Sequence, residues 1–341
     1  MSFNFKRVVV QDNPVQLCIF GKLPNRTDFV RINAAHPAAS ELDGLLSDSL
    51  QRLTHGDGWQ DGYHAMPPSR FVFRSRDYRW LFLGAWLPSR DQAGREYPLV
   101  AGILIPAEAA AEPLSTLMLA NELFFSGIER QLVNAMDNSV EMLACRQYLE
   151  EQVSLGGLLS GDFVLARQLI DAHLKRTPAQ ALNEALITAG LGDLESVLLS
   201  FTFHQRLSRR FVGSLPPQAY LLPLPQDEGA AMLAAVTWLT LYDAATAGQG
   251  GVSEQCLMLN RPEGRQLVLL PGALTETVAS MSWGQPVDRT CIVDIGDSQA
   301  PWRAHHSYAE AAYVLARQIN DPTLSVASLR EIVRNLSGSI G

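Results

Sequence analysis

Residues 70–105 read RFVFRSRDYRWLFLGAWLPSRDQAGREYPLVAGILI, and this stretch decides the fold class. Three apolar runs stand out in it, Arg70–Arg74, Arg79–Leu87 and Pro98–Ile105. The short polar link Ser75–Tyr78 between the first two predicts a hairpin. Strands adjacent in sequence and joined by short turns favour antiparallel pairing. Pro98–Ile105 is almost wholly apolar, so both of its faces are expected to be covered.

Upstream, Gln16–Phe20 is a short apolar run ended by Gly21, a buried strand breaking into a turn. Leu42, Leu45, Leu46, Leu50 and Leu53 follow Pro37 at helical period, which predicts an amphipathic helix over Pro37–Leu53. From Pro113 to about Leu207 the pattern is helical, with breaks near Asp137-Asn138, Gly156-Gly157, Thr177-Pro178 and Gly190–Gly192. Leu117, Asn121, Phe124, Phe125, Ile128 and Leu132 form one stripe there, read as core. Gly156–Gly161 is the candidate linker. In the last third, Tyr220–Leu224, Gln255–Leu259, Gln266–Leu270 and Thr290–Ile295 read as strands. Glu228–Ala245, Leu274–Ser282, Tyr308–Ile319 and Val326–Leu336 read as helices. The class is therefore α+β: a mainly antiparallel sheet flanked by helices, with a large helical insertion and an α/β C-terminal part.

The chain has 341 residues, 47% of them apolar and 18% charged, enough for a well-filled core. Its net charge of −8 argues against nucleic acid as a partner, since that affinity needs clustered Lys and Arg. The charge is uneven: residues 1–110 hold 12 basic and 11 acidic groups, and the remainder holds 15 and 24. Arginines crowd between Arg70 and Arg95, either as a solvated hairpin rim or as a docking patch for an acidic partner. Cys18, Cys145, Cys256 and Cys291 are widely spaced, three of them in apolar runs read as strands, which fits a reducing cytoplasmic compartment. The longest uncharged candidate, Gly229–Tyr242, falls short of the ~20 residues that span a bilayer, so no membrane insertion is expected. Lys6 and Arg7 precede only Val8–Val10, too short for a secretory leader.

Catalytic motifs are scarce. His305-His306 has no third ligand at metal spacing, and no serine-nucleophile, phosphate-loop or dinucleotide motif is present. Asp294 and Asp297, in Val293–Ser298, faintly resemble a stretch of metal-dependent phosphatases of the PP2C type, but Asp57-Gly58 and Asp61-Gly62 lack the glycine that such a site needs. No catalytic residue, metal ligand or cofactor is assigned, and no enzymatic activity is expected.

Two loops look over-specified for linkers. The first runs Gly21-Lys22-Leu23-Pro24-Asn25-Arg26-Thr27-Asp28-Phe29. Gly21 permits a sharp turn, Pro24 stiffens the exit, Asp28 can cap a turn or meet an arginine, and Phe29 can anchor the loop. The second, Pro88-Ser89-Arg90-Asp91-Gln92-Ala93-Gly94-Arg95-Glu96-Tyr97-Pro98, links two buried strands. Asp28, Asp91 and Arg95 are expected to converge in a carboxylate–guanidinium network holding both loops.

These loops resemble the TagF (ImpM) family associated with bacterial type VI secretion. Gly21, Lys22, Leu23 and Pro24 match its Gly-Lys-Leu-Pro turn, and Asp28 and Phe29 match the end of its Gly-Asp-Phe element. Thr27 stands in place of that glycine, so the turn must differ locally. Trp59 and Tyr63, then Arg70 and Phe71, fall where the family has a Trp…Tyr pair and an Arg-Phe strand start. Pro88, Ser89, Asp91, Gly94, Arg95, Tyr97 and Pro98 match its second signature. The likeness implies a TagF-like α+β domain at 1–150, a helical insertion or linker at 151–214, and a C-terminal α/β part at 215–341 that can complete the first domain's fold. It further implies a cytoplasmic post-translational repressor of type VI secretion that binds and sequesters a forkhead-associated (Fha-type) scaffold protein. Two other readings stay open: an assembly adaptor of the same system, and a metal-dependent phosphatase centred on Asp294 and Asp297.

Overall fold

A computed structural model describes residues 15–53, 58–138, 141–154, 160–210, 218–247 and 255–340. Strand β1, Gln16–Gly21, pairs antiparallel with the short β2, Val30–Ile32, and with β5, Leu99–Pro106. β3, Ser69–Arg74, and β4, Trp80–Leu87, form the expected hairpin, and β4 pairs with β5 along its whole length. β7, Gln255–Arg261, joins β3, so that β8, Gly264–Leu270, and β6, Tyr220–Leu224, extend the same sheet. The order of the eight described strands is β2-β1-β5-β4-β3-β7-β8-β6, with every ladder antiparallel. The class is α+β.

Both faces of the sheet are covered, which explains its near-continuous apolar strands. Against one face lie α1, Pro37–Gln51, α2, Trp59–His64, and α10, Glu276–Ser280. Leu42, Leu46, Tyr63, Val278 and Trp283 pack there on Phe20, Phe71, Phe82 and Trp86. α1 begins where Pro37 presets φ and the His36 ring accepts the Ala38 amide. Each fully buried leucine on its inner face contributes about 1.5–3 kcal/mol.

The opposite face carries a helical layer: α3, Leu114–Ala120; α4, Glu122–Asp137; α5, Glu141–Ser154; α6, Ser160–Arg176; α7, Ala179–Thr188; α8, Leu194–Arg210; α9, Glu228–Thr246; α11, Tyr308–Ile319; and α12, Val326–Ser339. Their apolar stripes pack on Val72, Leu83, Ile103, Leu222 and Leu267. All four cysteines are buried free thiols, and burial pushes Cys18, Cys145 and Cys256 up to about 12. Among the described residues, no helix is long and apolar enough to cross a membrane.

Several expectations need correction. The stripe Leu117–Leu132 is buried but not one helix, because Asn121 (φ −106°) breaks it into α3 and α4 and its amide donates to the Leu117 carbonyl at 2.9 Å. Thr290–Ile295 is not a strand. Asp288 caps a single 3-10 turn at Arg289–Cys291, and the segment meets the sheet edge in one parallel bridge, Ile292 beside Ala219, made by the Cys291 carbonyl and the Val293 amide. Leu274–Ser282 shortens to α10 and a 3-10 turn, Met281–Trp283. Strand β2 and helix α2 were not foreseen. The Lys6–Val10 stretch, Asp57 and much of the Gly156–Gly161 linker lie outside the described residues.

Candidate functional site

Because β1 and β5 run antiparallel with Phe20 opposite Val100, the exit of β1 and the entry of β5 share one end of the sheet. β4 ends there too, with Leu87 opposite Leu99. The two signature loops are therefore neighbours. Gly21 makes this possible: at φ +131° it sits so close to the second loop that a Cβ would lie 2.0 Å from the Pro98 carbonyl oxygen.

The first loop turns at Leu23-Pro24-Asn25-Arg26, where the Arg26 amide donates to the Leu23 carbonyl at 3.1 Å and Pro24 presets the turn. The second folds as a small hairpin, with Arg90 bridged to Glu96 and Gly94 at φ +76°. Its centre is Asp91, whose side chain is fully buried. One carboxylate oxygen accepts the amides of Ala93 at 3.0 Å and Arg95 at 2.9 Å. The other meets Arg95 Nε at 2.7 Å and Lys22 Nζ at 3.3 Å. Burial works against ionisation, but the Arg95 amide and guanidinium and the Lys22 ammonium outweigh it and hold the carboxyl at about 2.

Four further bonds tie the loops together. Lys22 Nζ donates to the Arg95 carbonyl at 3.1 Å, Arg95 Nη2 to the Thr27 carbonyl at 3.0 Å, Ser89 Oγ to the Lys22 carbonyl at 2.7 Å, and the Gln92 amide to the Arg26 carbonyl at 2.9 Å. Beneath them the Tyr63 hydroxyl accepts the Ser89 amide at 3.1 Å and donates to the Ser89 carbonyl at 3.2 Å. Trp59 and Trp283 flank that ring at 5.6 and 5.7 Å. Tyr97 bonds to Asp43 on α1 and meets Phe29 edge-on at 5.0 Å.

Thus Gly21, Lys22, Pro24, Phe29, Ser89, Asp91, Gly94, Arg95 and Tyr97 come together, with Tyr63 and Trp59 as their footing. Asp28 does not join them. Its side chain is exposed, and among the described residues it makes no bond to Asp91 or Arg95; Lys22 takes the place expected for it. Phe71 lies in the core, stacked on Trp86 at 4.6 Å. Arg70 leaves the exposed arginine set, being 4% exposed on the other face of the sheet. There Glu122 and Glu129 of α4, together with Glu228 of α9, surround its guanidinium.

Beside the first loop a cleft of about 580 Å³ opens against α5. Arg26, Asp28 and Arg31 line one wall, and Met142, Leu143 and Arg146 the other. Leu143 is 67% exposed. Sequence reading missed the α5 wall; an apolar residue on the outward side of an otherwise polar helix was the available signal. What the arrangement offers is recognition: fixed backbone and a half-exposed guanidinium, bordered by a cleft with cationic and apolar walls. Elsewhere, Asp294 and Asp297 each accept the amide two residues on, from Gly296 at 3.0 Å and Gln299 at 2.8 Å, as turn-forming carboxylates do. Among the described residues no three His, Cys, Asp or Glu side chains are grouped to hold a metal ion.

Residues 18–152 match the model of the TagF N-terminal domain, described as type VI secretion system-associated. This part of the chain is such a domain, and it contains both loops and the cleft. The crystal structure of PA0076 from Pseudomonas aeruginosa PAO1 is also similar, at 24% identity and a TM-score of 0.35, over 39% of this chain and 62% of that one. The chain thus spans less than two thirds of that relative. No curated protein matches.

Proposed function

We propose that this chain, type VI secretion-associated through its TagF N-terminal domain, is a cytoplasmic post-translational repressor of that system, which binds and sequesters an Fha-type scaffold protein and has no catalytic role of its own. The observation that best supports this is the bracing of the two signature loops around buried Asp91. Such a network costs conformational freedom in both loops, and holding a recognition surface in one shape before binding is what lowers the cost of association. The Arg95 side chain, 65% exposed, keeps part of its guanidinium outward. The neighbouring cleft adds Arg26 and Arg31, suited to a partner surface with carboxylates.

Deleting the gene in its host should raise export of type VI effectors, and overexpression should lower it, with the Fha-type protein co-purifying. A deletion that abolishes export would overturn repression in favour of an assembly role. Failure to co-purify under conditions where export responds would remove the sequestration mechanism.

A further inference from the structure

A cavity of about 360 Å³ is built wholly from residues outside 18–152. It opens between the last turns of α8 and the 3-10 turn Pro301–Ala304. Buried Phe203 and Trp302 give it an apolar side, while Arg206 and Arg210 bring positive charge and His305 an imidazole N–H. Arg206 and Arg210 are one helical turn apart on the same face of α8.

Among the described residues none of these three side chains has a carboxylate partner. Arg206 Nη2 donates to the Ser337 carbonyl at 2.7 Å, but its Nε is buried with no acceptor among the described residues. His305 Nδ1 accepts the Ser307 amide at 3.2 Å, which leaves Nε2 as the donor. The His305 ring stacks on His306 at 4.4 Å, and burial together with the charges of His306, Arg206 and Arg210 pushes its pKa down. The carboxylates of Asp193 and Glu195 act on Arg303 and Tyr308 instead. The following segment 211–217 contains no acidic residue. Basic residues at a helix C-terminus complement its dipole, which accounts for Arg210 alone. It does not account for a buried guanidinium nitrogen left without an acceptor, nor for a histidine brought in from another element.

We propose that this cavity binds a phosphomonoester, its oxyanion held by Arg206, Arg210 and His305 and its organic part lying against Phe203 and Trp302. An oxyanion supplies acceptors to Arg206 and to His305 Nε2 and offsets the two guanidinium charges at once. The proposal does not depend on the function assigned to the loops.

Isothermal titration of the full chain with phenyl phosphate and with inorganic phosphate tests it. Phenyl phosphate should bind, and inorganic phosphate should bind roughly tenfold more weakly for want of the apolar contact. Arg210→Gln, at an exposed position, should weaken phenyl phosphate about tenfold without moving the thermal midpoint. His305→Gln should weaken it as well. Competition by a phosphotyrosine peptide would place the natural group on a polypeptide, and lack of competition on a small molecule; both keep the site. Absence of binding at about 10 mM ligand, equal affinity for the two phosphates, or binding indifferent to Arg210→Gln and His305→Gln would each overturn the proposal.

Discussion

Gly21 and Pro98 stand back to back: a single methyl group on the first would come within 2.0 Å of the carbonyl oxygen of the second. This contact joins the two signature loops before any side chain acts. Because β1 and β5 are hydrogen-bonded on one side of it, neither backbone can retreat without breaking the ladder.

Gly21→Ala should accordingly destabilise the protein by about 2–4 kcal/mol, combining a positive φ with a backbone overlap. Urea denaturation followed by tryptophan fluorescence measures it. A loss below about 0.5 kcal/mol, the range of an ordinary surface change, would show that the loops separate freely.

Tyr63 holds the second loop from below through both main-chain groups of Ser89. Tyr63→Phe removes one hydroxyl and leaves the buried Ser89 amide without its acceptor, while the Ser89 carbonyl keeps the Tyr97 amide at 3.0 Å, for a loss of about 1–3 kcal/mol. Faster exchange of the Ser89 amide with solvent deuterium would accompany it. Unchanged protection of that amide would contradict the arrangement.

The Asp91 carboxyl titrates at about 2 in the folded chain, below the ordinary value of about 3.9 for an unfolded aspartate. A depressed folded value means that its contribution is complete above the unfolded pKa and is lost as pH falls through the folded one. The stability difference between the native protein and Asp91→Asn should therefore be constant from pH 7 to about 5 and shrink between about pH 4 and pH 2. Thermal melts across that range read it directly; a difference independent of pH would place the carboxylate outside the network.

Arg70 ties three elements through Glu122, Glu129 and Glu228. Its removal leaves half-buried carboxylates facing one another, so Arg70→Met should cost about 3–5 kcal/mol. Burial already raises the Glu122 and Glu129 carboxyls despite the guanidinium. Changing Glu129→Gln in the Arg70→Met background should restore part of the loss. A double variant no more stable than the single one would argue against repulsion as the cause.

Much of this architecture is legible in the sequence, and the rest fails for identifiable reasons. Strands β3, β4 and β5 are long apolar runs with polar links, so their pairing follows from order alone. β2 is three residues long and half-buried, giving no periodicity to read. The meeting of Lys22 with Asp91 was not readable, because 69 positions separate them and only the β1–β5 register brings them together. Asp28 was expected there as a carboxylate near an arginine. It follows the turn at Pro24 on the exposed part of its loop, whereas Lys22 directly follows the paired strand and is delivered to the site. Glu122 and Glu129, two helical turns apart, mark one face of α4. Nothing local says that their partner is an arginine in the middle of a sheet.

The central claim is that the braced loops form a binding face, and Arg95→Ala tests it most directly. Its side chain is 65% exposed while its Nε pairs with the fully buried Asp91 carboxylate, which keeps Lys22 and two amides, so loss of the pair should cost about 1–3 kcal/mol. In a pull-down of the host's Fha-type protein, with thermal midpoints recorded in parallel, the account predicts that Arg95→Ala melts a few degrees lower, stays folded at the assay temperature and recovers little partner. Full recovery of partner by a correctly folded Arg95→Ala protein would contradict it.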